Sequence, residues 1–351
     1  MVEKEMENTR RNFLKSATVA ATVAAPFIRA QNKSGSRPPV VGSGDFQYEV
    51  IHDWGELPAG LAYGNCHGVC EDSQGQIYIH HTVHSTAQKH DSMVVFDPSG
   101  KFVKSWGRDF EGGAHGLHIR KEGNTEFLYL CDTRRALVVK TTTNGEVVFT
   151  LGTPTESPAY EPGADGKLPK YSPTNLAIAP NGDIYVGDGY GSSFINQYNS
   201  RGKFIRTFGG KGKEAGKLDC PHGITVDLRS GEPQLLVADR SNKRLQYFTL
   251  DGKHVKFVEG VNLPCHFSER QGVMVIPDLG ARVTLIDRDN RVIGHLGDDS
   301  ESDWRKTRVK SRDAFVPGKF VCPHGACFDH AGNIFVVEWV EVGRVTKLRK
   351  V

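Results

Sequence analysis

Histidine recurs at one position of a long internal repeat, and imidazole is both a common metal ligand and a proton carrier near neutral pH. We call this position the anchor, and five histidines occupy it: His67, His115, His222, His266 and His324. Asn175 occupies the one remaining anchor position, third in chain order, and the intervals between successive anchors are 48, 60, 47, 44 and 58 residues. Several neutral imidazoles around one axis suit a divalent transition metal such as zinc. The histidines therefore predict a metal site, provided that a repeating fold gathers them.

Two turns of the repeat carry further reactive side chains. Tyr190 lies between glycines in an Asp-Gly-Tyr-Gly sequence, and we interpret the glycines as exposing the phenol instead of packing it. Arg240 follows Asp239 in Asp-Arg-Ser-Asn, a turn in which the aspartate bonds the backbone. The arginine either completes this turn or projects into a site. Arg134, in the corresponding turn of an earlier unit, is a further candidate of the same kind.

Four of the seven cysteines stand one or two residues before an anchor histidine: Cys66, Cys220, Cys265 and Cys322. Their thiolates are able to join a metal site or to form a disulfide, but cysteine is equally a small apolar packing residue. The sequence leaves these interpretations open. The odd total leaves at least one cysteine without a partner in the chain.

The anchors belong to a unit of four short strands separated by turn residues. In the clearest copy the strands are Pro221–Asp227, Gln234–Asp239, Arg244–Phe248 and a run that ends at Val258. Six such units in phase predict an all-β, six-bladed β-propeller of the NHL-repeat type, with an open pair of packed sheets as the alternative. The two long intervals hold insertions, residues 154–172 and 298–321.

The last unit is one strand short. It ends with residues 343–351 as a third strand, and residues 46–54 supply the missing fourth. We therefore predict a propeller over residues 45–351, closed by an N-terminal strand. In such a ring the inner strands line a central channel, and the anchors gather at one of its mouths. There the histidines either bind a metal or only hydrogen-bond the backbone.

The first 30 residues are typical of an export signal. Residues 9–15 hold a twin-arginine pair, and the mildly apolar stretch 16–28 is too short to span a bilayer stably. We predict a signal peptide over residues 1–30, a linker over 31–44, and a periplasmic or extracellular mature protein without a membrane span. A chance Arg-Arg pair before an amphipathic helix is the alternative.

The charge balance bears on the partners of the protein. The net charge is +3, from 44 basic and 41 acidic residues, which argues against nucleic acid or an anionic membrane as a partner. A small-molecule or peptide substrate is the remaining expectation.

At these residues the chain resembles peptidyl-α-hydroxyglycine α-amidating lyase, most clearly over residues 113–350. The similar segments are 182–190, 208–209, 221–222, 237–240 and 322–324. That family is a six-bladed propeller that cleaves a C-terminal α-hydroxyglycine into a peptide amide and glyoxylate. The resemblance implies a zinc ion on His115, His222 and His324. It makes Tyr190 the base and Arg240 a second active-site arginine, and it places Cys322 where the family has a methionine beside the metal.

The chain also departs from this family. The aspartate that binds a structural calcium in the family is Gly325 here, so the resemblance does not support a calcium site. The carboxylate-binding arginine of the family's first blade has no match. Residues 80–92 offer His80, His81, His84 and Lys89 instead, and we interpret these histidines as surface residues. His67 and His266 are additional anchors.

The sequence thus supports three hypotheses. The first is a lyase similar to the amidating lyase, which uses one ion of zinc or another divalent transition metal. The second is a different hydrolase or lyase on the same scaffold, acting on sugars or lactones, which the additional histidines and the charged insertion favour. The third is a non-enzymatic NHL module that binds a protein through its channel face.

Overall fold

The computed structural model describes residues 37–351, so the predicted signal peptide and the linker up to residue 36 lie outside the described residues. Within the described part, the chain forms six antiparallel sheets whose inner strands contact one another in a ring. This confirms the predicted six-bladed β-propeller. Among residues 37–351, no helix is long and apolar enough to cross a membrane.

The strands follow one another in chain order. Two short strands precede the first blade: β1 (Val40–Val41) and β2 (Tyr48–His52). Blade 1 consists of β3 (Cys66–Glu71), β4 (Ile77–His81), β5 (Met93–Phe96) and β6 (Phe102–Trp106). Blade 2 consists of β7 (Ala114–Glu122), β8 (Thr125–Asp132), β9 (Leu137–Thr142) and β10 (Val147–Leu151). Blade 3 consists of β11 (Asn175–Ile178), β12 (Ile184–Gly187), β13 (Phe194–Tyr198) and β14 (Phe204–Gly209).

The remaining blades have the same plan. Blade 4 consists of β15 (Pro221–Asp227), β16 (Gln234–Asp239), β17 (Arg244–Phe248) and β18 (His254–Val258). Blade 5 consists of β19 (Ser268–Arg270), β20 (Val273–Asp278), β21 (Arg282–Ile286) and β22 (Val292–Leu296). Blade 6 contains β23 (Pro323–Phe328), β24 (Ile334–Glu338) and β25 (Arg344–Lys350). Helical structure in residues 37–351 is confined to single turns: α1 (Trp304–Thr307) and the 3₁₀ turns Gly44–Phe46, Arg108–Phe110, Pro158–Tyr160, Arg240–Asn242 and Arg312–Ala314.

The sixth blade is completed from the N-terminal side. β2 pairs antiparallel with β25, with Tyr48 opposite Lys350, so the predicted closing strand is confirmed. β1 adds a fifth strand to this blade, although it lies within residues 31–44, which we expect to be a flexible linker. The N–H of Val50 donates to the carbonyl of Pro39 (2.8 Å) and holds this segment along the sheet edge, so Val40–Val41 belongs to the last blade.

Apolar side chains fill the gaps between neighbouring blades. In blade 1, Ile77 and Ile79 pack towards Phe335 of blade 6, whereas Tyr78 packs towards Leu128 of blade 2. This alternation follows from the two-residue period of a β-strand, which sends successive side chains to opposite faces. Because both faces of each blade are buried in this way, the inner strands are held rigidly around the channel.

A β-bulge marks the anchor histidine in blades 1, 2, 4 and 6. In blade 4, for example, Pro221 lies opposite Asp239 but Ile224 lies opposite Val237, so the strand holds one extra residue at the His-Gly step. The same register shift occurs at the other three His-Gly steps. A bulge re-aims a side chain out of the regular alternation. The glycine is required because a Cβ on Gly223 would lie 2.6 Å from the carbonyl oxygen of Cys265 in the next blade.

In five blades a buried carboxylate ends the second strand or directly follows it: Asp132, Asp188, Asp239, Asp278 and Glu338. Asp239 accepts the N–H of Asp219 (2.7 Å), which confirms its predicted role of bonding the backbone. Glu338 likewise accepts the N–H of Val321 (2.7 Å). Both N–H groups lie three residues before an anchor histidine, so these carboxylates position the chain that leads the anchor to the channel mouth.

Candidate metal centre

Three anchor histidines form a nearly equilateral triangle at the channel mouth. The ring centroids of His115 and His222 are 4.9 Å apart, those of His115 and His324 are 4.8 Å apart, and those of His222 and His324 are 4.7 Å apart. All three side chains are buried. The repeat therefore gathers residues that are more than one hundred positions apart in the sequence.

The orientation of each of these three rings is set by the next blade. Nδ1 of His115 lies 2.6 Å from the carbonyl oxygen of Thr174, and Nδ1 of His222 lies 2.9 Å from that of Cys265. Nδ1 of His324 lies 2.9 Å from the carbonyl oxygen of His67. Because a carbonyl only accepts, each Nδ1 carries the proton and each Nε2 presents a lone pair. Backbone bonding and metal ligation are therefore compatible, since a metal-binding histidine commonly donates its other N–H in this way.

The three imidazoles are neutral at physiological pH. Burial lowers the pKa of His115 to about 3. Burial, with the charge of Arg240 next in importance, holds the pKa of His222 well below its ordinary value. Burial and the neighbouring His115 do the same to the pKa of His324. Metal binding needs unprotonated ligands, so these three imidazoles suit a divalent transition metal in their protonation state. Their donor atoms belong to two sets that share His324, each with all distances within 4.8 Å: His67 with His115 and His324, and His222 with Cys265 and His324.

Tyr190 lies against one edge of the triangle. Its hydroxyl oxygen is 3.2 Å from Nε2 of His115 and 3.1 Å from Nε2 of His222. Burial raises the pKa of this phenol, and the charge of Arg240 opposes the rise. From the sequence we expect the flanking glycines to expose the ring. They do not, because the tyrosine is half-buried. Instead they let the backbone pass close to its neighbours: a Cβ on Gly189 would lie 2.6 Å from the carbonyl oxygen of Pro221.

Arg240 points into the site. One of its terminal nitrogens is 3.5 Å from the hydroxyl oxygen of Tyr190, and the guanidinium carbon lies 5.3 Å from the centre of that ring. The other terminal nitrogen is 3.2 Å from Sγ of Cys220. The arginine that pairs with Asp239 is Arg244, at 2.8 Å. Of the two roles open to Arg240, the structure therefore shows projection into the site.

Two further donors flank the other edges of the triangle. Nδ1 of His67 lies 3.2 Å from Nε2 of His324, and the donor atoms of His67, His115 and His324 all lie within 4.8 Å of one another. Sγ of Cys265 meets the same limit with His222 and His324. In the sequence, Cys265 is one of four cysteines that stand just before an anchor histidine, and nothing there distinguishes it from the other three as a metal ligand.

The other candidate residues lie elsewhere. His266 donates Nδ1–H to the carbonyl of Ala326 (3.1 Å) and lines a channel cavity of about 240 Å³. Cys322 packs in an apolar cluster with Trp304 and Phe315 of the 298–321 insertion, so its packing role is the one that the structure shows. Arg134 is exposed and donates to the backbone oxygen of Asp109 (3.2 Å). All seven cysteines are buried free thiols in residues 37–351, which contain no disulfide.

A local signal separates the clustered anchors from His266. The four histidines of the cluster are each followed by glycine, whereas His266 is followed by Phe267. The His-Gly step allows the bulge and the close approach of the next strand, whereas Phe267 is buried in the gap between blades. This dipeptide would have distinguished the two groups from the sequence.

Two histidines of blade 1 are buried rather than on the surface, which corrects our interpretation of His80 and His81. Both are fully inaccessible, and neither ring nitrogen of His80 reaches hydrogen-bonding geometry. The strand β4 turns them into the gaps between blades, where His80 stacks edge-on to Phe110 and His81 to Tyr63. His84 is half-exposed. Burial lowers the pKa of His80 to about 4 and that of His81 to about 3.

This burial predicts acid sensitivity. An unfolded histidine takes up a proton below a pH of about 6.5, whereas folded His80 does so only near pH 4. Stability is therefore intact above pH 6.5 and is lost as the pH falls towards 4. Between pH 7.5 and 5, His80 alone costs about 2 kcal/mol of the free energy of unfolding. We expect His80→Leu to remove that part of the loss, as measured by urea unfolding of chelator-treated protein at both pH values. His84→Leu is the control; an equal acid loss in wild type and His80→Leu would contradict the prediction.

Comparison with known proteins finds lyases among the relatives. No protein-family model matches the chain. Peptidyl-glycine alpha-amidating monooxygenase A of Xenopus laevis is 34% identical over 181 residues, which is 48% of this chain and 18% of that protein. Peptidyl-alpha-hydroxyglycine alpha-amidating lyase 1 of Drosophila melanogaster is 32% identical over 173 residues, 46% of this chain and 30% of that protein. Human NHL repeat-containing protein 3 is 26% identical over 166 residues, 45% of each chain. The matches thus span less than half of each relative.

Solved structures support the fold. A streptogramin B lyase aligns with a TM-score of 0.57 at 13% identity, covering 88% of this chain and 99% of the other. A putative gluconolactonase aligns with a TM-score of 0.53 at 13% identity, covering 85% and 96%. At such identities the likeness concerns the fold alone. The chain is thus a six-bladed β-propeller whose sequence relatives include α-amidating lyases and NHL-repeat proteins.

Proposed function

We propose that this protein is a metal-dependent lyase that cleaves the N–C bond of an α-hydroxyglycine amide, giving an amide and glyoxylate. One observation carries the proposal. The hydroxyl of Tyr190 lies within 3.2 Å of the free Nε2 atoms of His115 and His222. A proton carrier thus lies directly beside two of the three histidines that the resemblance to the amidating lyases makes zinc ligands.

His115, His222 and His324 would hold zinc or another divalent transition metal through Nε2. When bound, such an ion acts as a Lewis acid on a ligated hydroxyl and lowers its pKa. The three histidines would keep the ion in place, because each ring is held by a carbonyl of the next blade. An aspartate in place of Gly325 would put its Cβ 2.6 Å from the carbonyl oxygen of His67, so the calcium-binding carboxylate of the family does not fit here.

Tyr190 is the proposed general base. The positive charge of a bound metal, added to that of Arg240, would let the phenol ionise. Its phenolate oxygen would then take the proton of the substrate hydroxyl, the C–O bond would become the aldehyde of glyoxylate, and the N–C bond would break. The electron pair of that bond goes to the amide nitrogen, which receives the proton back from Tyr190. Arg240 stabilises the phenolate, because its positive charge opposes the effect of burial on the pKa of Tyr190. General acid–base catalysis of this kind contributes about 10²–10⁴-fold to a rate.

We also propose that the protein is exported by the twin-arginine route and works in the periplasm or outside the cell. The twin-arginine sequence of residues 9–15 supports this proposal. Cell fractionation of the full-length chain tests it, and Arg10→Lys with Arg11→Lys should retain the protein in the cytoplasm. Export of this variant at the normal level would reject the route.

The substrate assignment predicts release of glyoxylate. Metal-loaded protein, incubated with a short peptide that ends in α-hydroxyglycine, should release glyoxylate and the peptide amide in equal amounts. Chromatography of the amide and a colorimetric aldehyde assay measure the two products. Activity should vanish with a chelator and return with zinc. Retained metal without glyoxylate release would reject this substrate.

A second function has one observation in its favour. The first blade buries His80 and His81 at the turn where the amidating lyases carry a substrate-binding arginine. The recognition of the substrate carboxylate therefore differs, and a lyase or hydrolase of sugars or lactones is the alternative. Lactone hydrolysis by the metal-loaded protein, with no release of glyoxylate, would favour this function.

A further inference from the structure

His67 differs from the other three histidines of the cluster. His115, His222 and His324 each donate Nδ1–H to a carbonyl of the next blade. The Nδ1 atom of His67 instead faces Nε2 of His324 at 3.2 Å. Its ring centroid lies 4.4 Å from that of His324 and 4.6 Å from that of His115. The His67 ring is thus directed at the ligand atoms themselves.

The hydrogen bond between His67 and His324 has a defined direction. Nδ1–H of His324 donates to the His67 carbonyl, so Nε2 of His324 is an acceptor. Nδ1 of His67 must therefore carry the donated proton. A metal on Nε2 of His324 would use the same lone pair and break this hydrogen bond. His67 would then be a buried imidazole that points an N–H at a cation. An exchange of its Nδ1–H tautomer for the Nε2–H tautomer would turn a lone pair towards the metal instead.

We propose that His67 makes this exchange and binds the metal through Nδ1 as a fourth protein ligand. The proposal rests on the metal centre of the proposed function. It follows from the placement of the donor atoms of His67, His115 and His324 within 4.8 Å of one another. The neutral ring only shifts its proton from one nitrogen to the other, so ligation releases no net proton.

Ligation by His67 determines which side of the metal is open to substrate. His67 lies on the edge of the triangle between His115 and His324, away from Tyr190, which lies on the edge between His115 and His222. Catalytic zinc sometimes expands to five ligands, so four histidines would still leave room for a substrate oxygen. That oxygen would then lie on the side of Tyr190 and Arg240.

Cys265 is the competing fourth donor, and its surroundings make it less suitable. Its Sγ donates to the carbonyl of Leu263 (3.4 Å) and lies 3.9 Å from a terminal nitrogen of Arg240. The thiol therefore has partners outside the histidine cluster. A sulfur ligand would also be visible spectroscopically, so the experiment separates the two donors.

The experiment compares wild type with His67→Gln and with His266→Gln as matched control. His266 occupies the same repeat position and is also buried, but its Nδ1–H bonds Ala326. Zinc affinity is measured by chelator competition, and the ligands are counted from the EPR spectrum after one equivalent of Cu(II) is added. We expect wild type and His266→Gln to show four nitrogen ligands. His67→Gln should show three and bind zinc at least about 10-fold more weakly, because even the loss of an outer-shell partner of a ligand costs about 10- to 100-fold.

The outcomes separate this inference from the proposed function. An unchanged nitrogen count and affinity in His67→Gln, or a sulfur-to-copper band that disappears in Cys265→Ser, would overturn the inference. So would weaker binding with four nitrogens retained, because His67 would then only position His324. Four nitrogens in a protein that releases no glyoxylate would support the inference and reject the function. If His67→Gln does not fold, His67→Ala should regain the fourth nitrogen from added imidazole, and failure of this rescue in folded protein counts against ligation.

Discussion

Replacing Tyr190 with phenylalanine is expected to lower kcat for glyoxylate release by about 10²–10⁴-fold while the metal content stays unchanged. The substitution removes only the hydroxyl that lies 3.2 Å from His115 and 3.1 Å from His222. The ring remains to fill the space beside the triangle. The histidines keep their carbonyl partners, so the affinity for zinc should not fall. The loss therefore reports on proton transfer and not on the assembly of the site.

Steady-state kinetics and elemental analysis of the same protein samples measure this effect. Tyr185→Phe is the matched control, because it removes a hydroxyl of the same blade that donates to the carbonyl of Leu250 (2.7 Å) outside the site. We expect Tyr185→Phe to retain the wild-type kcat. Wild-type turnover by metal-replete Tyr190→Phe would show that the phenol is not the base.

Replacing His222 with alanine is expected to reduce the zinc retained after dialysis against a weak chelator from about one equivalent to below about a tenth, because the ion would lose one of its protein ligands. His222 supplies one vertex of the triangle and also lies against Tyr190. Its loss leaves two vertices, His115 and His324, with His67 as the third donor, a set that should hold zinc too weakly to resist the chelator. Activity should therefore fall together with metal content.

Elemental analysis after dialysis against a weak chelator measures the stoichiometry of the bound metal. His266→Ala is the control for removing a buried anchor histidine, because its ring lines the channel cavity instead of the cluster. Thermal unfolding of both variants shows whether the propeller remains folded. Full metal occupancy in folded His222→Ala would exclude the triangle as the metal site.

Blade architecture could be predicted from the sequence because it is encoded locally. The two-residue alternation of segments such as Gln234–Asp239, together with repeated turn residues, specifies strands without reference to distant parts of the chain. The missing strand of the sixth unit likewise predicted the pairing of β2 with β25. Once the repeat is recognised, its symmetry places His115, His222 and His324 at one mouth.

The roles of individual side chains could not be predicted in this way. The sequence predicts that His80 and His81 lie in a turn that faces solvent, but they belong to strand β4, which places each of them in a gap between blades. From the sequence, Arg240 either completes its turn with Asp239 or projects into the site. In the structure Arg244 pairs with Asp239, and Arg240 contacts Tyr190. These outcomes depend on packing between segments that are distant in the chain.

The anchor histidines show where the division lies. By itself, the sequence determined that five histidines occupy the anchor position of the repeat and that three of them match the metal ligands of a known family. Only the tertiary structure decided that His67 joins the cluster and that His266 does not. The physical reason is how closely the neighbouring inner strand approaches. At His67 a bulge and a glycine permit a close approach, whereas at His266 the next residue, Phe267, packs into the apolar gap between blades.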